Sequence, residues 1–272
     1  MLYFIALYAS LQRNGMMEAM RYPLTSDDIL VADSILRKVF KDKILRGAKN
    51  EEQGNVLLVS DFSHFDKLLS NFRRTTGLTK AEHALIRRVL AINPNHWGVP
   101  AKKIGVHKVP KNMVRIPPFR YEYKGEQRVT WTQYVIKPAY DAFQKMNHAM
   151  KQELETSMHI FSGYRSPAYQ LNAFLRQWQL CGYHFMSAMR LVMLPGYSEH
   201  CDPKHQAMDI RFDSGIPDDM DSYDQTVKHM IATKEYQWML KNARRFGFAL
   251  SYVPKNAKGI KFEPWHWRYV GK

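Results

Sequence analysis

FEPWHWRYVG, residues 262–271, sets a carboxylate, Glu263, three places ahead of an imidazole, His266, within a run of aromatic side chains. On a regular strand, residues three apart point to opposite faces. The two can act together only if the chain departs from a strand between them. Pro264, a residue poorly tolerated inside a sheet, is expected to cause that departure. Trp265, Trp267 and Tyr269 read as core or pocket wall, large apolar bodies with a polar edge to satisfy.

Two other stretches carry matching chemistry, FSGYRSPAYQ (161–170) and PGYSEHCDPKHQAMDI (195–210). A catalytic zinc takes three nitrogen or oxygen ligands from the protein and keeps its fourth position for water. His200, Asp209 and His266 supply that set, and Glu263 stands in the same segment as His266. Taken singly, each has an ordinary reading: His200 as a surface or satisfied core histidine, Asp209 as a turn residue, Arg165 as a surface residue before Pro167. Their combination in three ordered segments is what points to a site.

In that order the segments resemble those of the VanY-type D-Ala-D-Ala carboxypeptidases, within the wider group of zinc peptidases that includes the lysostaphin and sonic hedgehog folds. The likeness is carried by Ser162, Gly163, Tyr164, Arg165 and Ser166 with Gln170. It continues through Ser198, Glu199 and His200 with Ala207, Met208, Asp209 and Ile210, and through the run from Glu263 to Tyr269. The resemblance implies that His200, Asp209 and His266 bind Zn2+ and that Glu263 is the general base. It further implies that Arg165 faces the scissile carbonyl or a terminal carboxylate and that Gln170 and Ser198 help to hold the substrate.

Each role has a physical basis. A positioned base contributes roughly a hundredfold to ten-thousandfold in rate. A guanidinium can grip a carboxylate through two hydrogen bonds or stabilise a developing oxyanion. One departure matters: His200 and Asp209 are nine apart, where the family has a shorter step with a glycine in its middle. The inserted stretch holds Cys201, Asp202 and His205, and His205 could replace His200 as a ligand if that stretch were helical. His159, His184 and His229 lack such context and read as structural.

Upstream, the first hundred residues read mainly as helix. Ser26, Asp27 and Asp28 precede a helical stripe of Ile29, Leu30, Ile35, Leu36, Val39 and Phe40. A second helix is expected over Phe62 to Arg74. Thr79 with Glu82 makes a capping box ahead of a third, stopped at Asn93-Pro94-Asn95. From Trp97 to Arg128, Pro100, Pro110, Pro117 and Pro118 break any long helix and mark a boundary region. A helix is then expected from Gln133 to Leu154, followed by a short strand at His159, Ile160 and Phe161.

With 45% hydrophobic and 13% aromatic residues the chain can bury a core, which excludes a disordered or disulfide-scaffold class. Forty Lys and Arg against 25 Asp and Glu give +15, which suits an anionic surface such as a bacterial envelope or simply a solvated basic face. Cys181 and Cys201 could pair in an oxidising compartment, and two separate thiols is the plainer reading, since sequence does not establish the geometry a bridge needs. The apolar run Leu2 to Leu11 looks like the h-region of a secretory signal without a basic segment before it, and reads equally as an atypical signal or a buried first helix.

The expected fold is α+β, a small antiparallel sheet carrying a zinc site and flanked by helices. Residues 1–105 would form a mainly helical N-terminal region and 106–272 the zinc peptidase domain. The expected activity is zinc-dependent removal of a terminal D-Ala from peptidoglycan stem peptides, in the periplasm or cell envelope, with no specific nucleic acid as partner. Two alternatives stand beside it: an endopeptidase or phage-type lysin using the same site, and a degenerate basic protein that binds wall or nucleic acid. D,D- and L,D-cleavage are equally compatible with the residues quoted.

Overall fold

The computed structural model describes residues 24–41, 78–107, 109–123, 126–130, 132–213, 223–256 and 259–271. The apolar run Leu2 to Leu11 and the helix expected over Phe62 to Arg74 lie outside them. Helix α1 (Ser26–Lys41) forms where the capping residues and apolar stripe place it. Helix α2 (Lys80–Ala91) starts on the capping box, with the Thr79 side chain accepting from the Glu82 amide and the Glu82 side chain accepting from the Thr79 amide. Such a box satisfies two donors that the first turn would otherwise leave unpaired.

The region expected only to interrupt helices contains strands β1 (Met113–Ile116), β2 (Arg120–Tyr123) and β3 (Glu126–Val129). The helix expected from Gln133 is shorter than its apolar spacing suggested. Gln133–Ile136 is strand β4, paired antiparallel with β1, and helix α3 spans Lys137–Leu154. The physical reason is local. Pro138 sits in the first turn of α3, the one helical place where its missing N–H costs nothing, so the helix begins there.

The remaining elements are β5 (Met158–Ser162), α4 (Pro167–Leu180), α5 (Phe185–Met189), β6 (Ala207–Phe212), α6 (Tyr223–Ala232), α7 (Lys234–Asn242), β7 (Phe248–Leu250) and β8 (His266–Tyr269). Strands β5, β6, β8 and β7 form an antiparallel sheet in that order. The fold is therefore α+β, as expected, with a small antiparallel sheet and flanking helices.

Two apolar cores lie among the described residues. One joins Ala32, Ile35 and Leu36 of α1 and Leu85, Ile86 and Val89 of α2 to Leu171, Phe174, Leu175 and Trp178 of α4. Polar links follow the same path: Gln179 and Tyr183 both donate to Asp33, at 3.0 and 2.6 Å. The other core fills the space between the four-stranded sheet and α3, α6 and α7, with Met208, Ile210, Phe212 and Trp267 contributed by the strands. Strand side chains alternate in direction. With Met208, Ile210 and Phe212 committed to that core, Asp209 and Arg211 face the other side of the sheet, as His266 and Arg268 do beside the buried Trp267.

Candidate metal centre

Sheet register builds the centre. Asp209 lies opposite Ser162 on one side and opposite His266 on the other, so one row crosses β5, β6 and β8. An irregularity between Ile160 and Ser162 brings Ser162 into that row. Such bulges re-aim side chains at sheet edges and sites. Gly163 follows, and only a glycine fits: an added Cβ would come within 2.3 Å of the Tyr134 carbonyl oxygen. That close approach lets the chain turn so that Arg165 reaches back, its Nη2 2.9 Å from Asp209 Oδ2 and its Nε 3.1 Å from Ser162 Oγ.

His200 arrives on a short 3-10 turn, Glu199–Cys201. Its Nδ1 lies 2.8 Å from the Gly163 carbonyl, which can only accept, so the proton sits there and Nε2 keeps its lone pair, 3.4 Å from Asp209 Oδ1. His266 Nδ1 lies 3.2 Å from the same Asp209 oxygen. His200, Asp209 and His266 offer ligand atoms all within 4.8 Å of one another. Ligands about 2.0–2.2 Å from a tetrahedral zinc stand roughly 3.3 Å apart; the two separations to Asp209 Oδ1, 3.4 and 3.2 Å, match that spacing, and the three donors are of the type zinc takes.

The turn expected at Pro264 is present. The His266 amide donates to the Glu263 carbonyl at 3.0 Å, closing a turn over Pro264 and Trp265, and β8 starts only at His266. The carboxylate and imidazole therefore meet, with Glu263 Oε2 3.7 Å from His266 Nδ1.

Burial dominates the electrostatics. It pushes the Glu263 carboxyl up to about 7, against the pull of His266 and Arg165 and with help from Asp209. Burial and the Arg165 charge lower His200 to about 4, so this imidazole is neutral at ordinary pH. For Asp209 burial acts upward, but His200, His266 and Arg165 hold its carboxyl well below the usual range. Burial would lower His266, yet its bonds with Asp209 and Glu199 raise it to about 10. A proton and a cation compete for the same lone pair in that anionic surrounding.

The inserted stretch does not supply a ligand. His205 is exposed and its carbonyl accepts from Arg268 Nε at 3.0 Å. Asp202 caps the loop, its Oδ1 accepting from the Lys204 and His205 amides, and its Oδ2 pairs with Arg268 at 2.7 Å. Cys201 is buried, which pushes its thiol up to about 12 and keeps it protonated. Cys181 is likewise free. Gln170 is buried in α4 and donates to the Met193 carbonyl at 2.5 Å, while its Oε1 has no hydrogen-bond partner among the described residues. Ser198 is buried just ahead of the 3-10 turn, its side chain against Cys201.

Reading the sequence left three neighbours without a role. Glu199 Oε2 lies 3.1 Å from His266 Nε2, Arg268 Nη1 lies 3.4 Å from Glu199 Oε1, and the Tyr252 ring sits 4.7 Å from that of His266. A signal existed for two of them, since Glu199 adjoins His200 and Arg268 shares the face of His266 by strand alternation.

Three ligands that leave one coordination position for a reactant are the pattern of a catalytic metal site rather than of a closed structural clip. Comparison with known proteins narrows the class. Residues 132–272 match VanY, D-alanyl-D-alanine carboxypeptidase, and the chain belongs to this family. It is 30% identical to the putative carboxypeptidase YodJ of Bacillus subtilis over 218 residues, 78% of this chain and 70% of that protein. It is 38% identical over 82 residues to a D-alanyl-D-alanine carboxypeptidase of Enterococcus faecalis, 29% of this chain and 25% of that protein. A solved LdcB LD-carboxypeptidase is 32% identical, with a TM-score of 0.44 over 60% of this chain and 70% of that one.

Proposed function

We propose that this protein is a zinc-dependent carboxypeptidase that removes a terminal D-Ala from peptidoglycan stem peptides at the cell envelope. The observation that carries the reading is the convergence of His200, Asp209 and His266 beside Glu263 in a chain of the VanY family. Zinc held by those three residues would supply Lewis-acid polarisation and acidify bound water.

The chain's own residues account for the rest. Glu263, balanced near neutrality by burial, takes a proton from the attacking water and passes it to the leaving amine. Gly163, through its carbonyl, fixes the tautomer of His200. Arg165, pinned by Ser162 and Asp209, presents a guanidinium to a free carboxylate or to the oxyanion that forms at the scissile carbonyl. A free carboxylate next to the cut is what distinguishes trimming of an end from cleavage within a chain.

The test is mass spectrometry of tetrapeptide and pentapeptide stems after incubation with the zinc-loaded protein. Loss of one alanine supports the reading, and the stem that loses it reports whether D,D- or L,D-bonds are cut. Cleavage of cross-linked dimers without trimming of free stems would replace carboxypeptidase with endopeptidase. No release from either would overturn the enzyme.

A further inference from the structure

We propose that Glu199 is a positioning residue for this centre: it accepts from the Nε2–H of His266, so that the Nδ1 lone pair faces the metal position, and Arg268 and Asp202 hold it there. The proposal rests on the zinc reading above but concerns residues to which that reading gives no part.

The argument starts from the imidazole. A neutral histidine has one N–H and one lone pair, and the partner of one nitrogen decides what the other can do. His266 Nδ1 faces Asp209 Oδ1 at 3.2 Å, within the ligand cluster, while Nε2 faces Glu199 Oε2 at 3.1 Å on the far side of the ring. An ionised carboxylate only accepts, so the hydrogen must lie on Nε2. Tyr252, 4.7 Å away and tilted 34°, limits tipping of the ring plane.

The same short turn thus serves both imidazoles. His200 is a ligand, and its neighbour Glu199 braces the ring of the other ligand, although His266 lies on a strand far along the chain. The longer step between His200 and Asp209 also finds a use. Arg268 Nη1 reaches Glu199 Oε1 at 3.4 Å, its Nη2 pairs with Asp202 at 2.7 Å, and its Nε donates to the His205 carbonyl at 3.0 Å. The inserted loop is thereby fastened to β8 two residues beyond His266. Carboxylates placed behind a ligating histidine fix its orientation and raise its basicity, and their loss typically costs about 10- to 100-fold in metal affinity.

The experiment is zinc affinity by chelator competition on the full chain, with folding followed by near-UV circular dichroism and KM measured at saturating zinc. Glu199→Ala should weaken zinc binding about 10- to 100-fold, and Glu199→Gln, whose amide oxygen still accepts from Nε2–H, should recover most of the loss. KM should stay at the wild-type value in both. Asp202→Asn, one step further from the ring, should cost only a few-fold. A folded Glu199→Ala protein that binds zinc within twofold of wild type overturns the proposal, and so does a Gln variant no better than the Ala variant. If Glu199→Ala does not fold, Asp202→Asn decides: a few-fold weaker affinity supports the proposal and wild-type affinity overturns it. Failure of the wild-type protein to bind zinc would sink the zinc reading together with this one, whereas wild-type-like variants sink this one alone.

Discussion

The helical layer of α1 and α2 and the four-stranded sheet both bury charged side chains, yet they do so in opposite ways. In the helices the two buried carboxylates each close on a cation: Asp28 pairs with Arg88, and Glu82 with Lys38 at 2.6 Å and with the Ser34 hydroxyl at 2.8 Å. In the sheet, Asp209, Glu199 and Glu263 all surround His266, with Arg165 and Arg268 as the nearby guanidiniums. Buried charges persist where they are paired or coordinate a metal. A closed pair holds helices in register, whereas carboxylates gathered round one imidazole make an anionic surrounding that suits a metal ion.

If that contrast is right, changes in the sheet should alter chemistry and changes in the helices should alter stability. His266→Ala should produce the largest effect, loss of both zinc and hydrolysis, read as metal content and alanine release on the same sample. Glu263→Gln should keep the zinc while turnover falls by about a hundredfold to ten-thousandfold. Comparable turnover by wild type and this variant would remove Glu263 from the mechanism.

On the other side, Leu85→Ala empties a fully buried position in the helical core. It should cost about 2–5 kcal/mol by thermal or urea unfolding, with zinc bound per folded molecule unchanged. A matching loss of zinc affinity would show that the layer and the centre are not separable. Thr79→Ala removes the capping oxygen of α2 and should cost about 1 kcal/mol.

The smallest effect concerns pH. Burial alone would raise the Glu82 carboxyl, but Lys38, the Thr79 amide and Ser34 bring it below its usual 4.5. A group lowered on folding stabilises above its unfolded pKa, and that contribution disappears as pH falls through the folded value. Unfolding midpoints should therefore drop as the solution is taken below about pH 4.5, and less steeply in Glu82→Gln.

Much of this was legible along the chain. The capping box at Thr79, the start of α1, the strand around Ile160 and the three segments with His200, Asp209 and His266 depend on residue types at short spacing, and the structure has them where the sequence places them. The Gln133 to Leu154 stretch shows where spacing misleads. Its apolar positions suit a helix, yet Gln133–Ile136 pairs with a strand whose pairing no local pattern announces.

The choice between His200 and His205 and the brace formed by Glu199 were decided by tertiary structure alone. Types and intervals of residues determine what a segment can do: cap, turn, pleat or donate a lone pair. Distances of about 3 Å between atoms of β5, β6, β8 and the Glu199 turn follow from strand register and from which face each strand commits to the core. Those are properties of packed segments, which no single segment contains.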